Sequence, residues 1–581
     1  MPNPHLLLCN GANLSTSSPE WASVAPQELW TSSRKKNVTI EITHITDPVV
    51  ESLPDVVKDL VELAALVYAA DQCCKRTGPK SFDYGDKWHR QFRFEVAVRK
   101  PDFWKQRKVS DALVETLTFL SDDNYEFAFS RWKDPPKFTD YLPDFQRSGS
   151  PPNPPERVML FSGGLDSLAG AVDEVLVNKR RVAMVSHKPV DHLAVKQREI
   201  VAEIVRRVGA PQLAPLHFPV KANKDGELSL DYTQRSRSFL YASMAAAVAR
   251  LFNLDRIYFY ENGVLSVNLP LCGQEVGGRA TRTTHPQALH GFGRIFSLVL
   301  GQPFTVENEF LWLTKQDVLE RLKGTQHVDL AKMSLSCTHT RNFTLAQPHC
   351  GLCSQCISRR VAALGADYGE NDPGSGYRAD VLTAPRDKDE DRIVAERFIG
   401  VARQVEAMTD LQQFHQMFAG EFSRVTPYLP FSSSDAVAKL FALHHHHAVQ
   451  VGQTMLKQMN IYLNDFRMGQ IPDTSAIGYA FSQGHVSATK ARKKAVSAQA
   501  DEGSKPKVAQ ELVNAMRAFL KKHAGKTYTA KELNTEMKDA GLITRGYHSS
   551  DISAAKRYLV DIEHLPLVGR SYRYEDRQNS K

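Results

Sequence analysis

The sequence predicts an α/β fold, a Rossmann-like parallel sheet covered by helices, with further segments added at both ends. Three observations support this prediction. An apolar run at residues 158–161 is followed by a glycine-rich turn and an amphipathic helical pattern. Strand and helix patterns then alternate as far as residue 260. Four cysteines with the spacing of metal ligands follow in the same region.

The alternating patterns identify the strands and helices of the predicted sheet domain. Strand patterns lie at 158–161, 181–186, 214–220 and 256–260, and helical patterns lie at 193–208 and 236–254. Such βαβ units build a parallel sheet, and ligands bind beyond the carboxyl ends of its strands. We therefore expect one rim to carry the turn after Phe161, the pair Ser186 and His187, and the pair Glu261 and Asn262.

Composition and periodicity divide the rest of the chain. A Pro- and Ser-rich stretch ends the first predicted domain, and a basic stretch forms a linker. Three helical patterns and two short strands after the linker resemble a winged helix. The predicted organisation is an N-terminal α+β domain at 1–150, the parallel-sheet domain at 151–375, a helical region at 376–486, the basic linker at 487–507 and the winged-helix-like domain at 508–581.

The composition argues against several classes of protein. With 42% hydrophobic and 24% charged residues the chain is typical of soluble globular proteins, and no apolar stretch approaches bilayer length. A signal peptide is not expected, since the apolar run at residues 6–8 has no positively charged start and no small-residue cleavage site. A disulfide framework is not indicated, since four of only eight cysteines are clustered. We expect a cytoplasmic location and no membrane contact. The net charge of +8 permits contact with a polyanion without requiring it.

The glycine-rich turn is the most specific motif. It consists of Ser162, Gly163, Gly164, Leu165, Asp166 and Ser167. A strand, a glycine turn and a helix N-terminus present backbone N–H groups to an anion, and the serines add hydroxyl donors. Asp166 would repel a phosphate unless it contacts a metal or orients the turn, which points to Mg²⁺ and a nucleotide. The alternative is a capped glycine turn without a ligand.

The spacing of the turn distinguishes it from two commoner phosphate loops. It lacks the lysine of the Walker loop and the third glycine of the dinucleotide fingerprint. It resembles instead the pyrophosphate loop (PP-loop) of the ATP pyrophosphatases, enzymes that split ATP into AMP and pyrophosphate while adenylating an oxygen of their substrate. The resemblance implies ATP and Mg²⁺ as cofactors.

A cysteine cluster lies near the end of the predicted sheet domain. Cys337, Cys350, Cys353 and Cys356 have the spacing C-x12-C-x2-C-x2-C. Four thiolates suit a tetrahedral, structural Zn²⁺ site with no open position for a catalytic water. An iron–sulfur cluster is the alternative, because C-x2-C-x2-C also occurs in ferredoxin-type ligation.

The turn and the cysteine cluster together resemble the 7-cyano-7-deazaguanine synthases, the QueC family. Three further features agree with that family. Arg237 lies at the start of a helical pattern, Thr314 and Lys315 precede another, and Ser336 is next to Cys337. The resemblance covers about residues 155–365.

The chain differs from QueC enzymes in features that resemble another group of proteins. QueC enzymes are compact, whereas this chain has long additions at both ends. Its segment 261–266 differs from theirs, and an Arg- and Thr-rich stretch follows at 278–286. These features make the chain most similar to the QatC-type proteins of bacterial anti-phage defence. The resemblance implies an ATP-dependent carbon–nitrogen ligase that adenylates a 7-deazapurine carboxylate and joins it to an amine of a partner protein from the same defence operon.

The resemblance also implies roles for residues of the predicted rim. The turn would bind the pyrophosphate of ATP, while Asp166 contacts Mg²⁺ or orients the turn. Lys315 and Arg237 would neutralise phosphate charge as it moves onto the leaving group. Ser186 and His187 would line the adenine pocket, and for both the alternative is a packed or solvated side chain.

Candidate substrate contacts follow from side-chain chemistry. Glu261 and Asn262 are expected to read a purine edge, since a carboxylate or amide pairs with ring N–H and amino groups. Arg279 and Arg282 are expected to hold the substrate carboxylate or the α-phosphate, because a guanidinium fork matches both. The alternative for the arginines is structural, because residues 284–300 also have the pattern of a helix with an N-cap and a first-turn proline.

The sequence leaves other functions open. A biosynthetic QueC enzyme would use ammonia and dehydrate the product to a nitrile. A tRNA thiolase uses the same loop but needs a reactive cysteine at the crevice, for which Cys272 is the candidate. A nucleotide-sensing regulator would bind nucleic acid through the linker and the C-terminal domain, whose basic residues suit docking of a partner protein equally well.

Overall fold

The structure is a computed structural model. It describes residues 3–15, 21–32, 35–42, 53–76, 89–136, 154–187, 191–224, 235–269, 282–337, 347–482, 507–523 and 528–543. The chain divides into two units, Met1–Gln483 and Gly484–Lys581, and each is described by itself.

The first unit consists of strands and helices in mixed order. Its strands are β1 (Asn3–Cys9), β2 (Pro26–Leu29), β3 (Val38–Ile42), β4 (Arg90–Val98), β5 (Asn124–Arg131), β6 (Arg157–Leu160), β7 (Val182–His187), β8 (Leu216–Lys224), β9 (Arg256–Phe259) and β10 (Thr305–Asn308). Its helices are α1 (Asp55–Cys73), α2 (Pro101–Trp104), α3 (Arg107–Ser121), α4 (Leu165–Ala171), α5 (Asp191–Val208), α6 (Arg237–Leu251), α7 (Gly263–Val267), α8 (Pro286–Leu300), α9 (Lys315–Lys323), α10 (Ser354–Gly365), α11 (Asp389–Glu406), α12 (Leu411–Val425) and α13 (Ser433–Arg467).

The larger sheet has the strand order β10-β9-β6-β7-β8-β3. Its neighbouring strands are parallel except for β8 and β3. The predicted strands at 158–161, 181–186, 214–220 and 256–260 are β6, β7, β8 and β9, so the predicted parallel sheet is confirmed. Because β7 and β9 flank β6 on opposite sides, the end of β6 is a topological switch point, where such sheets bind ligands.

Burial explains why these segments form the sheet. Every residue of β7 is buried, as are Val158, Met159 and Leu160 of β6, because helices cover both faces. Helix α6 packs on β6, β7 and β9 through buried alanines such as Ala242 and Ala246. Small side chains let this helix approach the sheet closely, which places its first residues at the rim.

The smaller sheet, with the order β2-β1-β4-β5, is parallel throughout. The described part of residues 1–150 thus has a parallel sheet of the α/β type in place of the predicted α+β arrangement. Helices α2 and α3 connect the parallel strands β4 and β5, and the apolar run at residues 6–8 forms the inner strand β1. Strand β3 does not join this sheet, because it pairs with β8 of the larger one.

The two sheets share one hydrophobic core across the predicted boundary near residue 150. This core includes Leu7 and Phe94 from the first segment and Val158 and Phe296 from the second. Helix α1 packs on both β8 and α6. A second core joins Cys356 to helices α11, α12 and α13. Described residues from all three segments that we predicted as domains before the linker thus share cores within the unit Met1–Gln483.

The second unit is described only in part. Helices α14 (Lys507–Lys522) and α15 (Ala530–Asp539) correspond to two of the three predicted helices of the winged-helix-like domain. The third predicted helix, at 549–560, and the two strands predicted at 566–568 and 571–574 lie outside the described residues. In the part of the chain that the structure describes, no helix is both long and apolar enough for a membrane span.

Candidate active site

A cleft of about 280 Å³ opens beyond the carboxyl ends of β6 and β9. It lies at the switch point of the larger sheet, where the sequence predicted a rim. The predicted residues that line it are Ser162, Gly164, Leu165, Asp166, Ser167, Arg237, Glu261 and Lys315.

The glycine turn forms one wall of the cleft. Gly163 has φ +80°, a conformation that side chains disfavour, and Gly164 is the N-cap of α4. Helix α4 continues into a π-helical turn, so the N-terminus at the turn belongs to a longer helical stretch. The hydroxyl of Ser162 accepts from Gly164 N–H at 3.2 Å and lies 3.0 Å from the hydroxyl of Ser167. Hydroxyls and a helix N-terminus together suit an anionic ligand.

Neighbouring segments hold the turn in place. Leu335 N–H donates to Gly163 O at 2.9 Å. Gln197 Nε2 donates to Ser162 O and to His187 O, at 3.1 Å each, and so ties the turn to the end of β7. Gln197 is buried on α5. The backbone of the turn is therefore fixed without using the groups that face the cleft.

Asp166 is a buried carboxylate with one oxygen paired and one not. Its Oδ2 accepts from Lys315 Nζ at 2.9 Å, from Asn262 Nδ2 at 2.9 Å and from Asn262 N–H at 3.3 Å. Its Oδ1 has no hydrogen-bond partner among the described residues, although it is buried. An unpaired buried carboxylate oxygen is costly unless a ligand completes it, and Mg²⁺ prefers such a ligand. The residues present therefore fit a hydrated Mg²⁺ at this oxygen.

Lys315 is the first residue of α9. Thr314 is the N-cap, and Thr314 and Asp317 form a reciprocal capping box with bonds of 3.1 and 2.9 Å. The lysine side chain is only 6% exposed, and its ammonium pairs with Asp166. Because a buried ion pair is stable only with good geometry, the start of α9 must be held firmly.

Glu261 also lines the cleft, two residues after the end of β9. Thr284 Oγ1 donates a short hydrogen bond to Glu261 Oε2, and the Thr284 hydroxyl also lies 2.9 Å from that of Ser266. Asn308 at the end of β10 fixes the backbone, since it accepts from Glu261 N–H at 3.0 Å and donates to Glu261 O at 2.8 Å. Hydrogen bonds thus fix both the carboxylate and the backbone of Glu261.

Burial also changes the acidity of Glu261. It raises the pKa of the Glu261 carboxyl, and the nearby Asp166 acts in the same direction. The hydrogen bond from Thr284 and the charges of Lys315 and Arg237 lower the pKa and offset this only in part. A carboxyl in this setting is a stronger base than a solvated one.

Asn262 has a different role from the predicted one. Its Oδ1 accepts from Leu265 N–H at 3.1 Å and caps α7, while its Nδ2 donates to Asp166. Both ends of the amide are occupied within the protein. The structure thus places Asn262 as a support of Asp166 rather than as a reader of a purine edge.

The predicted arginines separate in the structure. Arg237, the first residue of α6, lines the cleft. Arg282 does not line it: its guanidinium donates to Phe119 O at 2.5 Å, pairs with Asp122 at 3.2 Å and lies over the Phe119 ring. The expectation that Arg282 binds substrate is therefore not supported by its position. Arg279 lies outside the described residues.

The structural alternative for the stretch around Arg282 is confirmed. Helix α8 runs from Pro286 to Leu300, with His285 as its N-cap. Burial lowers the pKa of His285 to about 3, so the ring stays neutral and its Nδ1 can accept from Gln287 N–H at 3.1 Å. Of the residues just before this helix, Thr283 and Thr284 line the cleft, and Thr284 binds Glu261.

Ser186 and His187 point away from the cleft. The Ser186 hydroxyl lies 2.9 Å from His217 Nε2, on the neighbouring strand. The His187 ring packs edge-on against Tyr68 and Tyr241, with centroids 5.4 and 5.1 Å apart. Neither side chain is among those that line the cleft. The predicted adenine contact is therefore not supported by their side chains, and packing, the alternative, applies.

The four cysteines meet in space as their spacing predicts. Their Sγ atoms all lie within 4.8 Å of one another. Three separations are 4.0 Å (Cys337–Cys353), 3.8 Å (Cys350–Cys356) and 3.5 Å (Cys353–Cys356). A tetrahedron with Zn–S bonds of about 2.3 Å has edges of about 3.8 Å. The group can therefore hold a metal ion, and its size is compatible with Zn²⁺.

The metal site adjoins the cleft. Cys337 lines the cleft, and Leu335, two residues earlier, donates to the glycine turn. Arg359 of α10 binds the segment between them through Ser334 and Ser336, at 2.8 and 3.2 Å. The metal ligands and the turn are thus connected by a few residues of main chain.

Gln197, Thr284 and Asn308 support the site and were not predicted as functional. Each acts through partners that are distant in sequence, such as Ser162 for Gln197 and Glu261 for Asn308. Their positions could have identified two of them as candidates. Asn308 ends a strand at the rim, and Thr284 belongs to a recognisable helix start. Residue type alone did not distinguish them from surface polar residues.

Comparisons with known proteins add no relative to this description. No protein-family model matches the chain, and no curated protein sequence matches it significantly. The functional assignment of the cleft therefore depends on its own residues and on the motif resemblance.

Proposed function

We propose that the chain is an ATP-dependent, AMP-forming carbon–nitrogen ligase with a PP-loop fold, resembling QueC and QatC-type proteins. It would adenylate a 7-deazapurine carboxylate and transfer the acyl group to an amine of a partner protein in anti-phage defence. The observation that carries the proposal is Asp166 in the glycine turn: its Oδ1 is buried with no hydrogen-bond partner among the described residues, while its Oδ2 accepts from Lys315.

The chemistry of activation explains why these groups are needed. A carboxylate is a poor acyl donor, because its oxygen leaves with difficulty. Transfer of AMP to this oxygen breaks the bond between the α- and β-phosphates and releases pyrophosphate. The turn residues 162–167 would bind the pyrophosphate, and Asp166 Oδ1 would hold Mg²⁺, which neutralises phosphate charge. Lys315 and Arg237 supply further positive charge to the leaving group.

The second half-reaction needs a base. An attacking amine forms the new C–N bond, AMP leaves with the electron pair, and the amine loses a proton. Glu261 lies on the cleft wall and has a raised pKa, so it is the group best suited to take that proton. We therefore assign Glu261 to proton transfer, in addition to the purine contact expected from its position.

The alternatives predict different products from the same cleft. A nitrile synthase would use ammonia and remove water in a further step. A thiolase would need a cysteine outside the four-cysteine group, and its candidate, Cys272, lies outside the described residues. A nucleic-acid-binding regulator would bind ATP without releasing pyrophosphate, with the second unit as its binding domain. In our proposal, the acceptor amine has to be identified from the mass of the product.

The test is incubation with ATP, 7-carboxy-7-deazaguanine and proteins encoded by neighbouring genes, followed by AMP assay and intact-mass measurement. We expect AMP and a mass increase of one deazapurine acyl group on one partner. Asp166→Asn should lower AMP formation at least about 100-fold, because it removes the charge at Oδ1. Asp173→Asn is the matched control, since Asp173 is also buried on the same helical stretch but pairs with Arg321.

Unchanged AMP release in folded Asp166→Asn would contradict the assignment of the turn. ATP binding without AMP or pyrophosphate would favour the regulator. Sulfur in tRNA from cells that express the chain would favour the thiolase.

A further inference from the structure

We propose that helix α13 positions the Asp166–Lys315 pair, with Gln450 as the positioning residue. Helix α13 belongs to the helical region that the resemblance to QueC leaves unexplained. The kinetic consequence rests on the proposed function, whereas the positioning itself rests on contacts within the protein.

Gln450 bridges both members of the capping box before Lys315. Its Oε1 accepts from Thr314 Oγ1 at 2.7 Å, and its Nε2 donates to Asp317 Oδ1 at 2.7 Å. Thr314 is fully buried and Gln450 is 8% exposed, so water competes little for these bonds. The amide of Gln450 thus orients the N-cap, and the N-cap sets the direction in which the Lys315 side chain leaves α9.

His446, one turn earlier on α13, extends the same network. Its Nε2 lies 3.0 Å from Asp317 Oδ1 and 3.0 Å from Gln450 Nε2. Burial alone would raise the pKa of Asp317, but the bonds from Thr314, Gln450 and His446 outweigh it and lower the pKa. Asp317 therefore stays ionised and keeps accepting the bonds that fix the start of α9.

The same helix also packs against the second support of Asp166. Asn262 is followed by Gly263, where a Cβ would lie 2.7 Å from Leu443 of α13 and 1.7 Å from Leu311 O. Gly263 N–H donates to Leu313 O at 2.8 Å, which connects this turn to the residues before Lys315. Helix α13 therefore contacts the residues that position Lys315 and Asn262, the two residues that donate to Asp166 Oδ2.

A buried ion pair depends strongly on its geometry, so loss of this support should have a disproportionate effect. A small shift of Thr314 would move the Lys315 ammonium relative to Asp166 and to a bound triphosphate. Such misplacement typically lowers the rate of a positioned reaction by roughly 10- to 100-fold.

The first experiment does not require activity. Gln450→Leu and Gln453→Leu are prepared, because Gln453 is an exposed glutamine of the same helix and serves as the matched control. The nucleotide-free proteins are treated with a limiting amine-acylating reagent, and acylation of Lys315 is followed by peptide mass spectrometry. We expect Lys315 to react about tenfold faster in Gln450→Leu, because its pairing with Asp166 loosens, and at the wild-type rate in Gln453→Leu.

The second experiment measures AMP formation. Gln450→Leu should lower kcat roughly 10- to 100-fold, with the KM for ATP within about twofold of wild type. Gln450→Glu keeps the acceptor for Thr314 but donates to Asp317 only when the new carboxyl is protonated. Its rate relative to wild type should therefore rise as the pH falls, a dependence that loss of stability alone would not produce.

The outcomes separate this inference from the proposed function. Wild-type Lys315 reactivity in folded Gln450→Leu would overturn the positioning role. Faster acylation without AMP formation by the wild-type protein would support positioning and contradict the ligase. If Gln450→Leu does not fold, Gln450→Glu carries the test, and a pH profile parallel to wild type would overturn the inference.

Discussion

At the scale of single residues, the protonation state of Glu261 is expected to control acyl transfer. Its pKa is raised by burial, so the basic form is lost as the pH falls through this raised value. The rate of amide formation should therefore fall on the acidic side at a higher pH than a solvated glutamate would give. Glu261→Gln should remove that acidic limb and lower amide formation at least about 100-fold.

The partial reactions provide the control. Exchange of labelled pyrophosphate into ATP reports adenylation alone, and we expect Glu261→Gln to retain most of it. Thr284→Val, which removes the hydrogen bond to Glu261 Oε2, should shift the acidic limb to still higher pH without abolishing transfer. Loss of pyrophosphate exchange in Glu261→Gln would instead assign Glu261 to binding of the acid or of ATP.

At the scale of elements, the four-cysteine cluster and the glycine turn share one short segment. Residues 334–337 donate to Gly163 through Leu335, bind Arg359 through two serines and end at Cys337 of the cysteine cluster. The backbone N–H of Cys350 donates to Cys337 Sγ at 3.4 Å. A metal ion that fixes Cys337 would therefore also fix the main chain beside the turn.

Removal of this metal should weaken both stability and nucleotide binding. We expect one Zn²⁺ per chain by metal analysis, and after chelation or Cys353→Ser a thermal midpoint lower by at least about 5 °C. The KM for ATP should rise in the same samples, because the turn loses its support. Cys73→Ser is the matched control, since Cys73 is buried outside the cluster. Iron and inorganic sulfide in the purified protein would establish the ferredoxin-type alternative instead.

At the scale of the whole molecule, the features predicted correctly from the sequence have local signals. The turn at 162–167 needs only a strand, two glycines and a helix start, and the cysteine cluster needs only spacing. The contacts of Arg282 could not be predicted, because its partners Phe119 and Asp122 lie 163 and 160 residues earlier in the chain. The direction of β1 and the sheet that β3 joins likewise depend on pairing with distant strands, which local patterns do not encode.

Because the two sheets share a core, we expect them to unfold cooperatively. Asp71 of α1 pairs with Arg90 at 2.6 Å and also accepts from Ser236 N–H at 2.8 Å, directly before Arg237. Because this buried carboxylate joins the first segment to the start of α6, Asp71→Ala leaves Arg90 without one of its two ion-pair partners. We expect the free energy of unfolding to fall by about 3–5 kcal/mol, which would lower the midpoint of the main thermal transition.

The main thermal transition should shift to lower temperature as a single transition, since residues on both sides of position 150 share the core that Asp71 supports. Calorimetry of the full chain is the measurement, with Asp111→Asn as the control, because the Arg107–Asp111 pair is exposed. An exposed pair contributes about 0–1 kcal/mol, so this variant should unfold close to wild type. If Asp71→Ala instead split off a separate low-temperature transition for the first segment, residues 1–150 would be an independent domain, and the N-terminal sheet would have no part in holding Arg237 at the cleft.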